Sequence, residues 1–333
     1  MHNLDPGPEP IDAPPLKWGI LAAGGIARTF AETVPAHSRS TVVAVGSRSP
    51  QRAQAFADEF AIPRSYGDYG ELVADPDVEA VYIASPHSEH RNHALLAINA
   101  GKHVLLEKCF AETAPQAQEI FDAARARGVF VMEAMWTRFL PQMVALRQLL
   151  AQQVIGDIVT VSAHHGQALA HVPRMARPDL GGGALLDLGI YPIAFAFDIL
   201  GTPSTIAASG WLTELGADAA VAATFSYPGA LAQVSTTMLA RSHNVAEIAG
   251  TRGRITVSEP FYAAAATLTV HPRGGEPWTF APTVTGGFQF QVAEVARRVR
   301  EGALESPLRS WAETIATQVV IDEIRRQILL PVT

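Results

Sequence analysis

A single cysteine in 333 residues, Cys109, excludes an internal disulfide and predicts a reducing compartment, the cytoplasm. Basic charge is in deficit. Only 25 lysines and arginines face 32 aspartates and glutamates, a net charge of −7, so no cationic stripe points to nucleic acid or to an anionic membrane surface. An uninterrupted membrane span is also missing, because the most apolar stretch, "GGGALLDLGIYPIAFAFDILG", carries Asp187 and Asp198. The first residues, "MHNLDPGPEPIDAPP", have neither a basic start nor an apolar block, which argues against a signal peptide. Their five prolines cannot sustain helix or sheet and predict a flexible arm over residues 1–15.

What remains is a chain of ordinary globular composition, 48% hydrophobic and 17% charged, long enough for two domains that each bury a core. From Lys17 to about residue 140, short β-rich runs alternate with helical segments: "KWGILAAG", "TVVAVGSR", "VEAVYIAS", "KHVLLEKC" and "VFVMEA" are the strands. That alternation predicts an α/β domain over residues 16–140, a doubly wound parallel sheet with right-handed crossovers. After Asp157 strands dominate and follow one another through tight turns such as "YPGA". Residues 141–333 are therefore expected to form an α+β domain with an open-faced, mainly antiparallel sheet. In its tail, the arginine-rich "VAEVARRVREG" reads as a solvated helix face.

The first strand, turn and helix, "WGILAAGGIARTF", sit where a dinucleotide fingerprint belongs. The G-x-G-x-x-G/A template falls on Ala22, Gly24 and Ala27, so its first glycine is missing. Ala23, Gly24, Gly25, Ile26 and Ala27 are the expected pyrophosphate turn, with backbone N–H groups at a helix N-terminus. At the end of the second strand, where an NAD enzyme places a carboxylate for the ribose hydroxyls, this chain has Ser47 and Arg48, with Arg52 one turn later. A guanidinium and a hydroxyl suit a 2′-phosphate, so the site favours NADP, with NAD possible.

The stretches "WGILAAGGIA", "YIASPHSEH", "GKHVLLEKC", "VFVMEAMWTRFLP", "IGDI", "GGGALLDLGIYP" and "GTRGRI" together resemble the Gfo/Idh/MocA oxidoreductase family, from Lys17 nearly to the C-terminus. The "EAMWTRFLP" and "GGGALLDLGIY" blocks are most similar to the branch of dimeric dihydrodiol dehydrogenases and NADP-dependent D-xylose dehydrogenases. The resemblance implies hydride transfer between a nicotinamide and a hydroxyl of a sugar, cyclic polyol or diol. "LLEKC" is similar to the family's Glu-Lys-Pro motif, which places Glu107 and Lys108 beside the cofactor; Cys109 replaces the usual proline and is expected to loosen the backbone. "LLDLGIY" supplies Asp187 and Tyr191, four residues apart and so on one face of a helix.

A free tyrosine, with a pKa of about 10, is a poor base at neutral pH, and a nearby ammonium stabilises its phenolate. The expected roles are Tyr191 as acid/base, Lys108 as its electrostatic partner and Asp187 as the orienting carboxylate. By the same resemblance Ser85, Pro86, His87 and His90 lie along the cofactor, and Arg138 braces it. Trp136, His165 and Arg174 are candidates for the substrate side, with Arg177 a weaker one. His87, His90 and His93 do not form a metal set, since i, i+3, i+6 spacing spreads them round the helix and no cysteine or carboxylate completes a tetrahedron. Two other readings compete: a glycosidase that uses nicotinamide in a transient oxidation, and a non-catalytic NADP sensor. An uncovered face of the second sheet predicts a homodimer or homotetramer.

Overall fold

A computed structural model describes residues 4–329 of the chain. The chain divides into two compact units. One comprises Pro8–Trp136 and Gly286–Thr314; the other holds the N-terminal residues through Gly7, Thr137–Thr285 and the chain from Ile315 onward.

The first unit is built on six parallel strands: β1 (Lys17–Leu21), β2 (Thr41–Gly46), β3 (Arg64–Tyr66), β4 (Ala80–Ile83), β5 (His103–Glu107) and β6 (Val131–Ala134). They lie in the order β3-β2-β1-β4-β5-β6. The order reverses between β1 and β4, and in such sheets ligands bind beyond the carboxyl ends of the strands at that switch point. Helices α1 (Gly25–His37), α2 (Pro50–Phe60), α3 (Tyr69–Ala74), α4 (His90–Asn99) and α5 (Ala114–Arg127) form the crossovers. The sequence sets their ends: Ser49, Asp68 and Thr113 each cap a helix through the side-chain oxygen, and Gly128, left-handed at φ 65°, closes α5. The apolar face of α1 buries Ala27, Phe30, Ala31 and Val34, and Phe30 stacks on Tyr82 of β4 with ring centroids 4.0 Å apart. Strand β3 and helix α3 carry too little periodic pattern to be anticipated.

Two expectations from the sequence change here. Residues 286–314 return to the parallel-sheet unit, whereas the split at 140/141 assigns them to the second domain. Helix α8 (Phe288–Arg300) packs against α1 and buries Val292, Ala293, Glu294, Val295 and Ala296, so only its arginine-rich end is a solvated face. The N-terminal arm, expected to be flexible, makes specific contacts at Glu9–Asp12. A 3₁₀ turn at Pro10–Asp12 contacts α8, Pro10 is buried, and the Arg297 guanidinium donates to the Glu9 carbonyl. Proline restricts the unfolded chain and lowers the entropy lost on docking such a segment.

In the second unit, α6 (Pro141–Ala151) leads into β7 (Ile158–Gly166), and α7 (Ile190–Leu200) precedes β8 (Thr205–Leu212), β9 (Asp218–Tyr227) and β10 (Ala230–Thr237). Then come β11 (Ala246–Gly250), β12 (Gly253–Val257), β13 (Leu268–Pro272), β14 (Trp278–Phe280) and finally α9 (Trp311–Ile328), which begins in the first unit. The eight strands run β14-β13-β12-β11-β7-β10-β9-β8, antiparallel except between β7 and β10. Alternation decides the faces. Val161, Ala163, Val221, Phe225, Val234 and Ile248 point inward and are buried, and helices α7 and α9 contribute Ile193 and Ile324 to the same core. Residues 178–200 have the length and hydropathy of a membrane span, yet 78% of that window is buried inside the protein.

Candidate functional site

The parallel-sheet unit gathers its candidates at the carboxyl ends of β1, β2, β4 and β5. Ala22, in the position of the template's first glycine, adopts φ 78°. The turn thus keeps a left-handed residue there even without glycine, a conformation that costs an alanine about 1 kcal/mol. Ala22 N–H donates to the Gly46 carbonyl and Gly24 N–H to the Ala22 carbonyl. Gly24 caps α1, and a Cβ built on Gly25 meets nothing within 4 Å, so backbone and open space adjoin the helix N-terminus. Ala27 is fully buried, as the third position of the fingerprint requires for close helix–sheet packing. Ala23 lies half-buried and Ile26 exposed beside them.

Beyond β2, Ser47 is buried and its hydroxyl accepts from Ser49 N–H, while Arg48 and Arg52 are exposed. Arg48 lies close enough to the Tyr69 hydroxyl to pull its pKa down against burial, which wins and leaves it raised. The chain has no carboxylate between Gly46 and Arg52. Helix N-terminus, open glycine cradle, hydroxyl and guanidinium fit an NADP molecule.

The turn after β5 is held by several side chains. Glu107 is buried, accepting from Tyr82 O–H at 2.5 Å and from Lys108 N–H at 3.1 Å. Burial pushes its pKa up to about 7 against the pull of the Lys108 ammonium. The Lys108 carbonyl meets His87 Nε2 at 3.2 Å, and the Cys109 carbonyl meets His90 Nδ1 at 2.9 Å. Phe110 N–H donates to Glu133 at the end of β6, and Glu133 in turn receives the buried Arg309 guanidinium from the returning segment. Cys109 is completely buried and the Lys108–Cys109 peptide is cis. In place of the proline ring, side chains of His87, His90 and Glu133 hold this backbone at its carbonyls and N–H.

His90 is also corrected. Expected along the cofactor, it is fully enclosed, with Nε2 2.9 Å from the Ser85 carbonyl and Nδ1 on the Cys109 carbonyl, so it ties the β4 turn to the β5 turn. Complete burial and the neighbouring His87 push its pKa down to about 3, while the carbonyls favour the charged ring. Burial dominates and the ring is neutral, donating through one nitrogen at a time. Ser85 is buried, with its hydroxyl on His93 Nδ1, and Pro86 is exposed at the start of the loop. Trp136 follows β6, its ring 5.5 Å from Phe288 at the start of α8.

The mixed-sheet unit supplies a second cluster. Asp187 lies in a single π-helical turn, Leu185–Gly189, directly before α7 rather than in regular α-helix. Such turns are frequent at functional sites. Arg174 grips both Asp187 oxygens at 3.0 and 3.1 Å, so this arginine orients the carboxylate instead of standing in a pocket wall. Asp218, at the start of β9, accepts Leu185 N–H and sits against Gly183, where any Cβ would collide with it. Burial raises the Asp218 pKa to about 6. Gly182 is equally constrained: a side chain there would strike the carbonyls of Arg174, Met175 and Arg177. Gly182 and Gly183 are thus needed for close approach, while Gly181 takes a left-handed φ of 67°. Arg177 pairs with Asp179 on the surface.

Tyr191 opens α7 and packs edge-on against His165, with centroids 5.2 Å apart; Tyr262 lies 4.2 Å from His165 and 5.2 Å from Tyr191. Among the residues that sequence reasoning missed are Tyr262 and Gln167, which no motif marks. His165 is buried and its Nδ1 faces the Leu188 carbonyl at 3.1 Å, which fixes the proton there. Its Nε2 then accepts from Gln167 Nε2 at 2.9 Å, and the same amide reaches the Tyr262 hydroxyl at 3.1 Å. Arg138, expected as a cofactor brace, pairs with Asp198 at 3.2 Å, alongside Arg147 at 2.8 Å. That pairing anchors the turn before α6 to α7.

A 3-2-1-4-5-6 parallel sheet with an anion-ready first turn, in one chain with a mixed eight-stranded sheet, defines a dinucleotide-binding oxidoreductase. Residues 16–135 match the oxidoreductase family with an NAD-binding Rossmann fold, and residues 143–256 match the GFO/IDH/MocA C-terminal domain. The chain is 38% identical over 327 residues to trans-1,2-dihydrobenzene-1,2-diol dehydrogenase of Mus musculus, an alignment covering 94% of this chain and 97% of that one. It is 36% identical to D-xylose 1-dehydrogenase (NADP(+)) of Hypocrea jecorina, over 94% and 92% of the two chains. Among solved structures, the 3-ketoreductase KijD10 from Actinomadura kijaniata, in complex with NADP and TDP-benzene, superposes with a TM-score of 0.84 at 28% identity, covering 95% and 98%. The chain belongs to the GFO/IDH/MocA oxidoreductase family.

Proposed function

We propose that the protein is an NADP-dependent dehydrogenase acting on a secondary or anomeric hydroxyl of a sugar, cyclic polyol or trans-dihydrodiol. The observation that carries this reading is the braced Glu107–Lys108–Cys109 turn at the carboxyl end of β5, in a sheet whose switch point adjoins an open glycine cradle. NADP, when bound, supplies the acceptor for the hydride. Ser47 and Arg48 take its 2′-phosphate, and Gly24 and Gly25 the pyrophosphate. Tyr191 takes the proton of the substrate hydroxyl as the carbonyl forms and returns it in the reverse direction. The Lys108 ammonium stabilises the phenolate this requires. Arg174 holds Asp187 as a fixed negative charge one turn before the phenol.

Replacing Tyr191 by Phe leaves the edge-on ring contact with His165 and removes the hydroxyl that carries the proton. Turnover of whichever sugar or diol is most active is expected to fall about 10²–10⁴-fold, with the NADP dissociation constant unchanged within about twofold. Turnover close to wild type would reject the acid/base role.

The same reading extends to assembly. The uncovered face of the eight-stranded sheet carries hydroxyl and small side chains, among them Thr224, Ser235 and Ala222, with Trp211 and Leu231 exposed at 60% and 45%. We assign a homodimer or homotetramer to this face. Light scattering at micromolar concentration is expected to give two or four chains, and Leu231→Glu to shift the population toward one; a wild-type monomer contradicts it.

A further inference from the structure

The helix that carries Asp187 and Tyr191 begins without a cap of its own. The first N–H groups of any helix have no partner inside it, and a π turn, closing i→i+5, leaves one more than an α turn does. Ala184, at the cap position of Leu185–Gly189, has no side chain that could accept them. The acceptor comes from β9. Asp218, buried at the start of that strand, takes the Leu185 N–H from 33 residues further along the chain, and the Ala184 N–H faces the same carboxylate. We propose that Asp218 is a positioning residue for the reaction, holding the π turn so that Asp187 meets Arg174 and Tyr191 presents its hydroxyl. The inference rests on the dehydrogenase reading for the roles of Asp187 and Tyr191, and on the packing around Asp218 for the rest.

Three contacts tie this carboxylate to the site and not merely to the helix. Gly183, at φ 125°, comes down directly on it, in the space a Cβ would need. Gly182 next to it is pressed against the carbonyls of Arg174, Met175 and Arg177, and its N–H donates to the Arg177 carbonyl at 2.9 Å. Where Gly183 rests therefore sets where the backbone of Arg174 rests. The chain neighbours of Asp218, Ala217 and Ala219, share one buried cluster with Met175, Ala184 and Leu188. Met175 adjoins the clamp, and Ala184 and Leu188 bracket Asp187. Burial raises the Asp218 pKa to about 6, so at neutral pH the ionised group accepts these N–H bonds and places a negative charge at a helix N-terminus, where it is favourable. Asparagine would keep the shape and one accepting oxygen, whereas alanine would leave buried N–H groups unpaired. The acid and its arginine both hang from one side chain that touches neither of them.

Steady-state reduction of NADP by the full-length protein tests this, with D-xylose, myo-inositol and a trans-dihydrodiol as hydroxyl donors and the best of them carried forward. Rates are taken per NADP site, counted by fluorescence titration, at matched circular dichroism. Because a misplacement of about 1 Å costs about 10²-fold, kcat per site is expected to fall about tenfold in Asp218→Asn and about 10²-fold in Asp218→Ala. KM should stay within about threefold and the NADP dissociation constant within about twofold, since neither ligand loses a contact. In a Tyr191→Phe background the Asp218→Ala change should cost less than about threefold, the group it positions being gone. A purely structural Asp218 would lower the urea midpoint and the number of sites but not kcat per site. If Asp218→Ala does not fold, the isosteric Asp218→Asn decides the matter alone. Rates per site equal to wild type in the variants that fold, or a loss as large in Tyr191→Phe as in wild type, overturn the positioning role and leave the dehydrogenase reading standing. Unimpaired Tyr191→Phe, or no turnover of any donor by wild type, would strike the dehydrogenase reading first and the positioning role with it.

Discussion

In the proposed reading, Arg48 is the single side chain that selects the cofactor. It is exposed at the end of β2, in a stretch with no acid between Gly46 and Arg52, and its charge already reaches Tyr69 and His93. A guanidinium on a 2′-phosphate is a charge-assisted contact, worth about 1.5–3 kcal/mol. Arg48→Ala is accordingly expected to weaken NADP binding about 10–100-fold while NAD binding changes little, as measured by fluorescence titration of each. Equal loss for both cofactors would mean the residue supports the turn rather than reading the phosphate. At this scale residue types were legible in the sequence, since chemistry restricts what can serve as an acid, an amine or a phosphate ligand. Roles were less so. His90 and Arg138 carry the right chemistry for a cofactor contact, but their nitrogens are engaged by Ser85 and Cys109 carbonyls and by Asp198. Only three-dimensional proximity could separate a ligand from a brace.

The elements show where linear pattern runs out. β1, β2, β4, β5 and β6 stand out as apolar runs bounded by turn residues, and each is a strand of the parallel sheet. Helix α8 has an equally clear apolar face, yet periodicity says which face is buried and not against what. Its segment returns to the first unit, and Arg309 is the anchor: the guanidinium is fully buried, donating to Glu133 through Nε at 2.9 Å and Nη2 at 2.5 Å, and through Nη1 to Glu313 at 2.7 Å. Removing one partner of a buried pair strands the other charge, at about 3–5 kcal/mol. Arg309→Met should therefore lower the urea midpoint strongly. Because Glu133 also receives Phe110 N–H, it should disturb the Lys108 turn as well, visible as protease sensitivity near residue 110. A variant as stable as wild type would show that the pair is dispensable.

Over the whole molecule, buried ionisable groups shape the pH profile of stability, and they pull in opposite directions. Glu107 has its pKa raised from 4.5 to about 7 and Asp218 from 3.8 to about 6, both chiefly by burial. The unfolded chain gives up these protons first, so their contribution is complete at low pH and lost as pH rises through the folded values. His90, lowered from 6.5 to about 3 by burial, works in the reverse sense: its contribution is complete above 6.5 and lost as pH falls toward 3. Stability measured by urea denaturation is expected to peak between these limits. Glu107→Gln should shrink the fall between about pH 5 and about pH 8, having no proton to lose there; an unchanged fall would place the alkaline limb elsewhere.

Sequence by itself determined the class of this protein. Alternating strands and helices, a glycine turn after the first strand, and the Glu-Lys and Asp-x-x-x-Tyr pairs are local patterns, fixed by backbone geometry and by the chemistry a few side chains permit. Tertiary structure alone decided the rest: that His87, His90 and Glu133 hold the Lys108 turn, that Arg174 is the clamp on Asp187, and that Gln167 links His165 to Tyr262. These are contacts between residues far apart or unmarked in the chain, and packing, which acts on distance in space, leaves no trace in spacing along the sequence.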